Sequence, residues 1–251
     1  MTAPDDHAVA EQLARDAGAL LVSLRNDLTA KGFDQRSIKN AGDRESHVWL
    51  MERLAELRPE DPVLSEEGRD NSHRLSSSRA WIIDPLDGTR EYGEGRDDWA
   101  VHVALAIDGE PTIGAVSLPS LDHVLSTASP PVVPDRPADR PPRLVVSRSR
   151  APFVAHAVAE SLNADFLPMG SAGAKAMAIV LGIADIYVHA GGQYEWDNCA
   201  PAAVALAAGL HVSRIDGSPM RYNNPDPYLP DLLICRKEFA APVLDVIGGL
   251  F

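Results

Sequence analysis

Residues 84–89 (DPLDGT) carry the clearest chemical signal in the sequence, because two carboxylates, a hydroxyl and a chain-bending proline follow an apolar run. Oxygen ligands of this kind suit Mg²⁺. The proline would turn the chain so that the side chain of Asp84 and the backbone carbonyl of Leu86 face one ion while Asp87 reaches a second. Gly88 would let a phosphate approach the backbone closely. The alternative is an ordinary Asp-Gly turn held by side-chain hydrogen bonds.

Two more acidic positions lie far from this segment in the sequence. Glu66 stands in the stretch LSEE, at the end of a short extended piece, where an acidic pair is commonly just solvated. Asp197 stands in the stretch YEWD, before an alanine-rich helix for which it would serve equally well as an N-cap. Considered together with residues 84–89, these carboxylates predict a metal site assembled from three parts of the chain.

Residues 170–175 (GSAGAK) have the composition of a glycine-containing helix start, where free N–H groups and the helix dipole favour an anion. The segment does not match the P-loop pattern, and a flexible cap with a solvated Lys175 is the alternative. Asp43 precedes the second predicted helix as a good N-cap. His102 lies within a strand pattern and is predicted to be a packed core residue rather than a metal ligand.

The elements that must position these residues follow from the spacing of apolar side chains. Helical periodicity predicts helices over residues 6–28 and 43–57, the second of which Pro59 stops. Extended segments are predicted over residues 62–66, 80–84, 101–107, 112–118 and 121–127, the last three as an antiparallel meander.

A proline-rich stretch, residues 130–142, predicts how the chain is divided. It contains six prolines, enough to prevent regular pairing and to form a semi-rigid connector. We expect an N-terminal α+β subdomain over residues 1–135 that carries most metal ligands. A C-terminal subdomain over residues 143–251 would carry Asp197 and the substrate contacts, and its alternating strand-like and helix-like pieces predict a layered α/β structure.

Composition excludes several classes of function. The chain has 251 residues, 45% of them hydrophobic, which is enough for a substantial core, and a formal net charge of −13. A protein this acidic has no general basic field for a nucleic-acid backbone, so no nucleic-acid partner is expected. We expect no export signal and no membrane anchor. Two cysteines, Cys199 and Cys235, do not suggest a disulfide framework, which favours a cytoplasmic location.

The stretches LSEE, WIIDPLDGTREY and YEWD, in this order and spacing, closely resemble the inositol monophosphatase family of magnesium-dependent, lithium-sensitive phosphatases. The resemblance covers nearly the whole chain. It implies an α/β layered αβαβα sandwich with an antiparallel sheet in the first subdomain, a mixed sheet in the second and the active site in the cleft between them. Residues 170–175 and the closing segments of the sequence look most like the branch that removes the 3′-phosphate of 3′-phosphoadenosine 5′-phosphate in sulfate assimilation.

The resemblance also implies which residues hold the metal. Glu66, Asp84 and the carbonyl of Leu86 would bind one Mg²⁺, and Asp84, Asp87 and Asp197 a second, with two or three ions per site. A water molecule activated between these ions would be the nucleophile.

Catalytic and substrate-binding roles are implied in the same way. Asp43 would hydrogen-bond to Thr89, which together with Glu66 orients the attacking water. The residues implied to contact substrate are Asp87, Gly88, Thr89, Gly170, Ser171, Lys175 and Asp197.

Three alternatives stay open at this stage. Ala190 stands where inositol-preferring members of the family carry a glutamate, which weakens inositol recognition, but a broad inositol-1-phosphatase or fructose-1,6-bisphosphatase is the close competitor. A noncatalytic metal- or phosphate-binding module is a different class, and Asp43 and Thr89 argue against it because a mere binder would not need them. The expected partner is a small phosphorylated substrate, and a homodimeric assembly remains open.

Overall fold

Five alternating layers of helix and sheet make up the structure, a computed structural model that describes residues 5–250. The helices are α1 (Asp6–Ala30), α2 (Gln35–Leu57), α3 (Thr89–Gly93), α4 (Phe153–Leu162), α5 (Ala172–Val180), α6 (Glu195–Ala207) and α7 (Lys237–Gly248). The strands are β1 (Val63–Ser65), β2 (Arg79–Asp87), β3 (Ala100–Ile107), β4 (Glu110–Leu118), β5 (His123–Ser126), β6 (Arg143–Ser147), β7 (Asp165–Met169), β8 (Ile186–Ala190), β9 (His211–Ser213) and β10 (Asp231–Cys235).

The layers run in the order α1/α2, first sheet, α5/α6, second sheet, α4/α7, so the predicted αβαβα sandwich is confirmed. Strand β3 shows how the sequence specifies this arrangement. Its residues Val101, Val103 and Leu105 pack toward α1 and α2, while Ala100 and Ala104 pack toward α5 and α6. Because successive side chains of a strand point to opposite faces, one strand serves two cores, and the small residues let the inner helices approach closely.

The first sheet, in the order β1-β2-β3-β4-β5, differs in one respect from the antiparallel sheet predicted for it. Strands β2 to β5 form the predicted antiparallel meander, but β1 pairs in parallel with β2. The connection through residues 66–78 is long enough for the crossover that parallel pairing requires. Strand β2 also continues past Pro85 to Asp87, with an irregular register there.

The second sheet is mixed, as predicted, with the order β7-β6-β8-β10-β9. Strands β7, β6 and β8 run parallel, and β10 and β9 are antiparallel to their neighbours. The carboxyl ends of the three parallel strands, at Met169, Ser147 and Ala190, therefore lie along one edge. In open α/β sheets this is the edge where ligands bind.

Helix α2 begins eight residues before the predicted start, at Gln35 rather than residue 43. Its N-cap is Asp34, whose side chain accepts a hydrogen bond from the Ser37 N–H at 2.7 Å. The prediction that Asp43 is an N-cap is therefore wrong, since Asp43 lies in the middle of the helix. Gly42 is one of the buried residues of α2. It packs so closely against the end of β2 that a Cβ there would lie 2.8 Å from the side chain of Leu86.

The proline-rich stretch forms neither a helix nor a strand, as expected. The division into subdomains at this stretch stays a prediction, because helices α5 and α6 pack against strands of both sheets. Within residues 5–250, no helix combines the length and apolar character needed to cross a bilayer.

Candidate active site

The parallel pairing of β1 with β2 brings the first two acidic segments together. Ser65 lies opposite Ile83 in this register, so the next residue along β1, Glu66, comes beside Asp84. Glu66 as a residue is exposed, but its carboxyl group is turned inward and shares a hydrogen bond with that of Asp84. Two carboxyl groups so close together cannot both be ionised without a compensating charge.

The third acidic segment is the first turn of α6. Asp197 is the third residue of that helix, and its carboxylate accepts a hydrogen bond from the Tyr194 N–H at 2.7 Å. It therefore stabilises the helix start from within, while Tyr194 occupies the N-cap position. One carboxylate oxygen each of Asp84, Asp87 and Asp197 lies within 4.8 Å of the other two. The convergence predicted from the sequence is thus present in the fold.

Burial and mutual repulsion raise the pKa values of three carboxyl groups of this cluster. Burial and repulsion from Glu66 and Asp87 raise the pKa of Asp84 well above its usual value. Burial raises the pKa of Glu66 to about 7, and burial with repulsion from Asp87 raises that of Asp197 to about 7. Such shifts are typical of sites built to receive positive charge.

The donor set fits a hard divalent cation. All the converging groups offer oxygen, the ligand type that Mg²⁺ prefers, and the mutual repulsion that raises the pKa of Asp84 and Asp197 is one that a bound cation would relieve. The carbonyl oxygen of Leu86 accepts a long hydrogen bond, 3.3 Å, from the Thr89 hydroxyl, and a carbonyl oxygen can accept more than one partner. A magnesium site built from these residues is therefore chemically reasonable.

Asp43 and Thr89 meet beside this cluster. Burial, together with repulsion from Glu67, raises the pKa of Asp43 to about 6, while a hydrogen bond with Thr89 opposes that rise. One turn further along α2, the buried Ser46 hydroxyl donates to the Pro85 carbonyl at 2.7 Å. Helix α2 therefore contacts residues 84–89 at two points, Pro85 and Thr89. Gly88, at φ 84°, occupies the left-handed region that favours glycine.

Asp87 is bound quite differently from the other carboxylates. It accepts hydrogen bonds from the backbone N–H groups of Ala172 at 3.1 Å and Gly173 at 2.6 Å, and from the Ser171 hydroxyl. Burial alone would raise its pKa, but contact with His102, the Ser171 bond and the charge of Lys175 together lower the pKa of Asp87 to about 2. Asp87 therefore stays ionised.

The expected role of residues 170–175 changes accordingly. The N–H of Gly170 donates to Asp98 at 2.6 Å, and the next free N–H groups bind Asp87. Lys175 is 6% exposed, and its ammonium group donates to the Gly170 and Ser171 carbonyls, so it is not solvated. The anion at this helix start is the protein's own carboxylate. Ser171 thus binds Asp87 directly, while the Gly170 N–H binds Asp98 and Lys175 binds the carbonyls of this segment. The substrate-binding role expected for Gly170, Ser171 and Lys175 stays a prediction.

Sequence reasoning missed the roles of two residues of the site. Asp98, which accepts the Gly170 N–H, lies in a charged loop that offered no signal. His102 is correctly predicted as buried and packed, but its ring lies against Asp87, with Nε2 3.3 Å from Oδ2. An unexplained polar residue in an otherwise apolar strand was the only indication of its role.

A cavity of about 650 Å³ lies at the carboxyl ends of β6 and β8. It is lined by Ser147, Arg150, Phe153, His189 and Ala190, among others. Because β7, β6 and β8 are parallel, this cavity shares its edge of the sheet with the start of α5 that binds Asp87.

Arg150 is the cation of this cavity. It is exposed, and across residues 5–250 it makes neither a hydrogen bond nor an ion pair. The neighbouring Arg148, by contrast, is neutralised by Glu91 at 2.7 Å and Glu94 at 2.9 Å. The cavity therefore presents a positive charge that no carboxylate of the described residues neutralises.

Fold and site together define a class of phosphatase, and the chain belongs to the inositol monophosphatase family, whose sequence model matches residues 5–241. It is 51% identical over 247 residues to a 3′-phosphoadenosine 5′-phosphate phosphatase of Mycobacterium bovis, covering 93% of this chain and 90% of that protein. The protein of the same name from Mycobacterium leprae is 48% identical, with 96% and 93% coverage.

A solved structure gives the same fold. CysQ from Bacteroides thetaiotaomicron, described as a bacterial member of the inositol monophosphatase family, superposes with a TM-score of 0.78. The match covers 92% of this chain and 97% of that one at 24% sequence identity. At this level of sequence identity, the match is evidence for the fold alone.

Proposed function

We propose that this protein is a magnesium-dependent phosphomonoesterase that removes the 3′-phosphate of 3′-phosphoadenosine 5′-phosphate. The observation that carries the proposal is the convergence of Asp84, Asp87 and Asp197 within 4.8 Å, with Glu66 hydrogen-bonded to Asp84. The mycobacterial relatives named for this activity supply the substrate.

The proximity of these carboxylates supports a ligand assignment. Glu66, Asp84 and the Leu86 carbonyl would hold one magnesium ion, and Asp84, Asp87 and Asp197 another. Magnesium bound by these groups would supply Lewis-acid stabilisation of the attacking and leaving oxygens and lower the pKa of water. Phosphoryl transfer needs little covalent help from the protein, so positioning and charge carry the reaction.

The chain itself orients the reactants. The Thr89 hydroxyl lies within hydrogen-bond reach of the Leu86 carbonyl and of Asp43, whose pKa is about 6. When it donates its one proton to Asp43, its oxygen can accept a hydrogen bond from the attacking water. Glu66 flanks the same space. The N–H groups of Gly88 and Thr89, at the start of α3, would bind the phosphate being transferred. Asp87 is held in a fixed position, because it accepts three hydrogen bonds from the start of α5 and lies against the ring of His102.

Two features favour a bisphosphate nucleotide over inositol 1-phosphate. Ala190 offers no carboxylate to sugar hydroxyls at the cavity edge. Arg150 offers a free guanidinium, a group suited to a second phosphate. The cavity volume also leaves room for a nucleoside. Inositol 1-phosphate carries a single phosphate, so Arg150 would have no evident use with it; fructose 1,6-bisphosphate carries two and could also engage Arg150, and the substrate panel separates it from the nucleotide.

A substrate panel at fixed Mg²⁺ tests the assignment. The purified protein should show a higher kcat/KM for 3′-phosphoadenosine 5′-phosphate than for inositol 1-phosphate or fructose 1,6-bisphosphate. A higher value for inositol 1-phosphate would overturn the substrate. Magnesium binding without phosphate release from any of them would instead indicate a noncatalytic module.

The cellular role would be to clear the by-product of sulfate activation in the cytoplasm, where the buried free thiols of Cys199 and Cys235 stay reduced. Deletion of the gene should raise the cellular level of this nucleotide, and an unchanged level would contradict that role.

A further inference from the structure

His102 occupies the point where three segments of the active site meet. It lies in the middle of β3 with no exposed surface and faces the layer of α5 and α6. Its Nδ1 lies 3.0 Å from the carbonyl oxygen of Trp196, the residue before Asp197, and its Nε2 lies 3.3 Å from Oδ2 of Asp87. One ring thus bridges the segments that carry two predicted metal ligands.

The backbone of helix α5 contacts the same ring at Gly173. A Cβ on Gly173 would lie 2.0 Å from His102 Nε2, so only glycine permits this contact. The Nε2 atom has no well-aligned hydrogen bond within residues 5–250. A buried polar atom without a hydrogen bond destabilises the folded state, so its presence calls for an explanation. The nitrogen that lacks a strong partner is the one that faces the carboxylate of Asp87.

The two oxygens of Asp87 are used unequally. Oδ2 accepts hydrogen bonds from the Ser171 hydroxyl and the Gly173 N–H, and His102 Nε2 lies 3.3 Å from it on a further side. Oδ1 accepts the N–H of Ala172 at 3.1 Å. An oxygen that accepts two hydrogen bonds and also lies against the imidazole ring has little room for a cation, whereas Oδ1 retains a lone pair. The donor pattern therefore selects which oxygen can bind metal.

We propose that His102 is a positioning residue, which occupies Oδ2 of Asp87 and anchors the Trp196 carbonyl so that Oδ1 and Asp197 face the same cation. This inference rests on the proposed role of Asp87 as a ligand. Groups that orient metal ligands commonly change metal affinity about 10- to 100-fold when they are removed.

The test measures Mn²⁺ binding by calorimetry in wild-type protein, His102→Leu and His102→Gln, together with the melting temperature without metal. His102→Leu removes both contacts and should weaken Mn²⁺ binding about 10-fold or more. Glutamine can place an amide N–H near the position of Nε2, so His102→Gln should recover most of the affinity. His211→Leu, a change at a partly buried histidine of β9, is the control and should bind Mn²⁺ like the wild type.

The outcomes separate the two proposals. Wild-type protein that binds no Mn²⁺ would overturn the metal site itself. Wild-type affinity in His102→Leu, or equal losses in the leucine and glutamine variants, would overturn the role of His102 alone. If His102→Leu does not fold, Gly173→Ala replaces it, because the added methyl group must displace the His102 ring from Asp87. Wild-type Mn²⁺ affinity in Gly173→Ala would then overturn the role of His102.

Discussion

The backbone N–H of Gly173 donates to the carboxylate of Asp87 at 2.6 Å, which joins the start of α5 to the end of β2. A residue of the first sheet thus replaces the external anion that a helix start often binds. The consequence is an aspartate that stays ionised at any physiological pH, surrounded by carboxyl groups that resist ionisation.

Asp87→Asn should abolish most turnover. The side-chain NH₂ group of an asparagine at this position would face hydrogen-bond donors, with which it cannot form hydrogen bonds. The substitution also removes the ionised ligand. We expect kcat to fall on the order of 100-fold or more, since even groups that only orient a metal ligand cost 10- to 100-fold when lost. Steady-state phosphate release measures it. Asp97→Asn, a change at a nearby exposed acid, should remain within about threefold of wild type, and substantial activity in Asp87→Asn would remove Asp87 from the ligand set.

Glu66 and Glu67 form a matched pair for testing the second ligand. They are adjacent, yet only Glu66 shares a hydrogen bond with Asp84. Glu66→Gln should lose activity and weaken Mn²⁺ binding by about 10-fold or more, whereas Glu67→Gln should change neither by more than about threefold. Calorimetry and a phosphate assay on both variants check this. Equal losses would show that the general negative charge matters rather than the position of one carboxylate.

The stability of the metal-free protein should fall as the pH rises from about 4 to about 7. Glu66 and Asp197 have folded-state pKa values of about 7, above their unfolded values, so the folded state binds more protons in this window and loses stability as protons leave. Asp87 acts in the opposite sense only below pH 4, because its pKa is lowered to about 2. Histidines with lowered pKa values, such as His189, also oppose the trend.

The difference between unfolding free energies with Mg²⁺ and with a chelator removes these background terms. At each pH it reports only what the cation adds, which is about 2.7 kcal/mol when Mg²⁺ is at 100 times its Kd. Protons compete with the cation for the same oxygens. Urea titrations should therefore give a larger difference at pH 8 than at pH 5. A difference that stays constant or shrinks would mean that the carboxylates of this cluster do not bind the ion.

Much of the site was predictable because its signals are local. Residues 84–89 combine a strand end, a turn and two acids within one short segment, and Asp197 stands at a recognisable helix start. The five-layer fold followed from resemblance rather than from periodicity, which by itself led only to a layered α/β structure.

The remainder depends on contacts between distant segments. The parallel register of β1 and β2 is invisible in the sequence of either strand, yet it places Glu66 beside Asp84. The helix predicted from residue 43 extends back to Gln35, and Gly42 within it lies in close contact with Tyr92 and Leu86, which no pattern in the sequence indicates. The N–H groups of residues 170–173 looked free because their partners, Asp87 and Asp98, lie more than seventy positions earlier.

Arg150 provides the sharpest test of substrate recognition, because the substrate itself supplies the control. If the guanidinium binds the second phosphate, Arg150→Ala should lower kcat/KM for 3′-phosphoadenosine 5′-phosphate about 10- to 100-fold, the value of a hydrogen bond between charged groups. The same variant should hydrolyse adenosine 3′-monophosphate, which lacks the 5′-phosphate, at the wild-type rate. Equal losses on both nucleotides would mean that Arg150 supports the fold or the metal site, and no loss on either would place the second phosphate elsewhere. Only a loss confined to the bisphosphate connects the cavity at the ends of β6 and β8 with the reaction at Asp87.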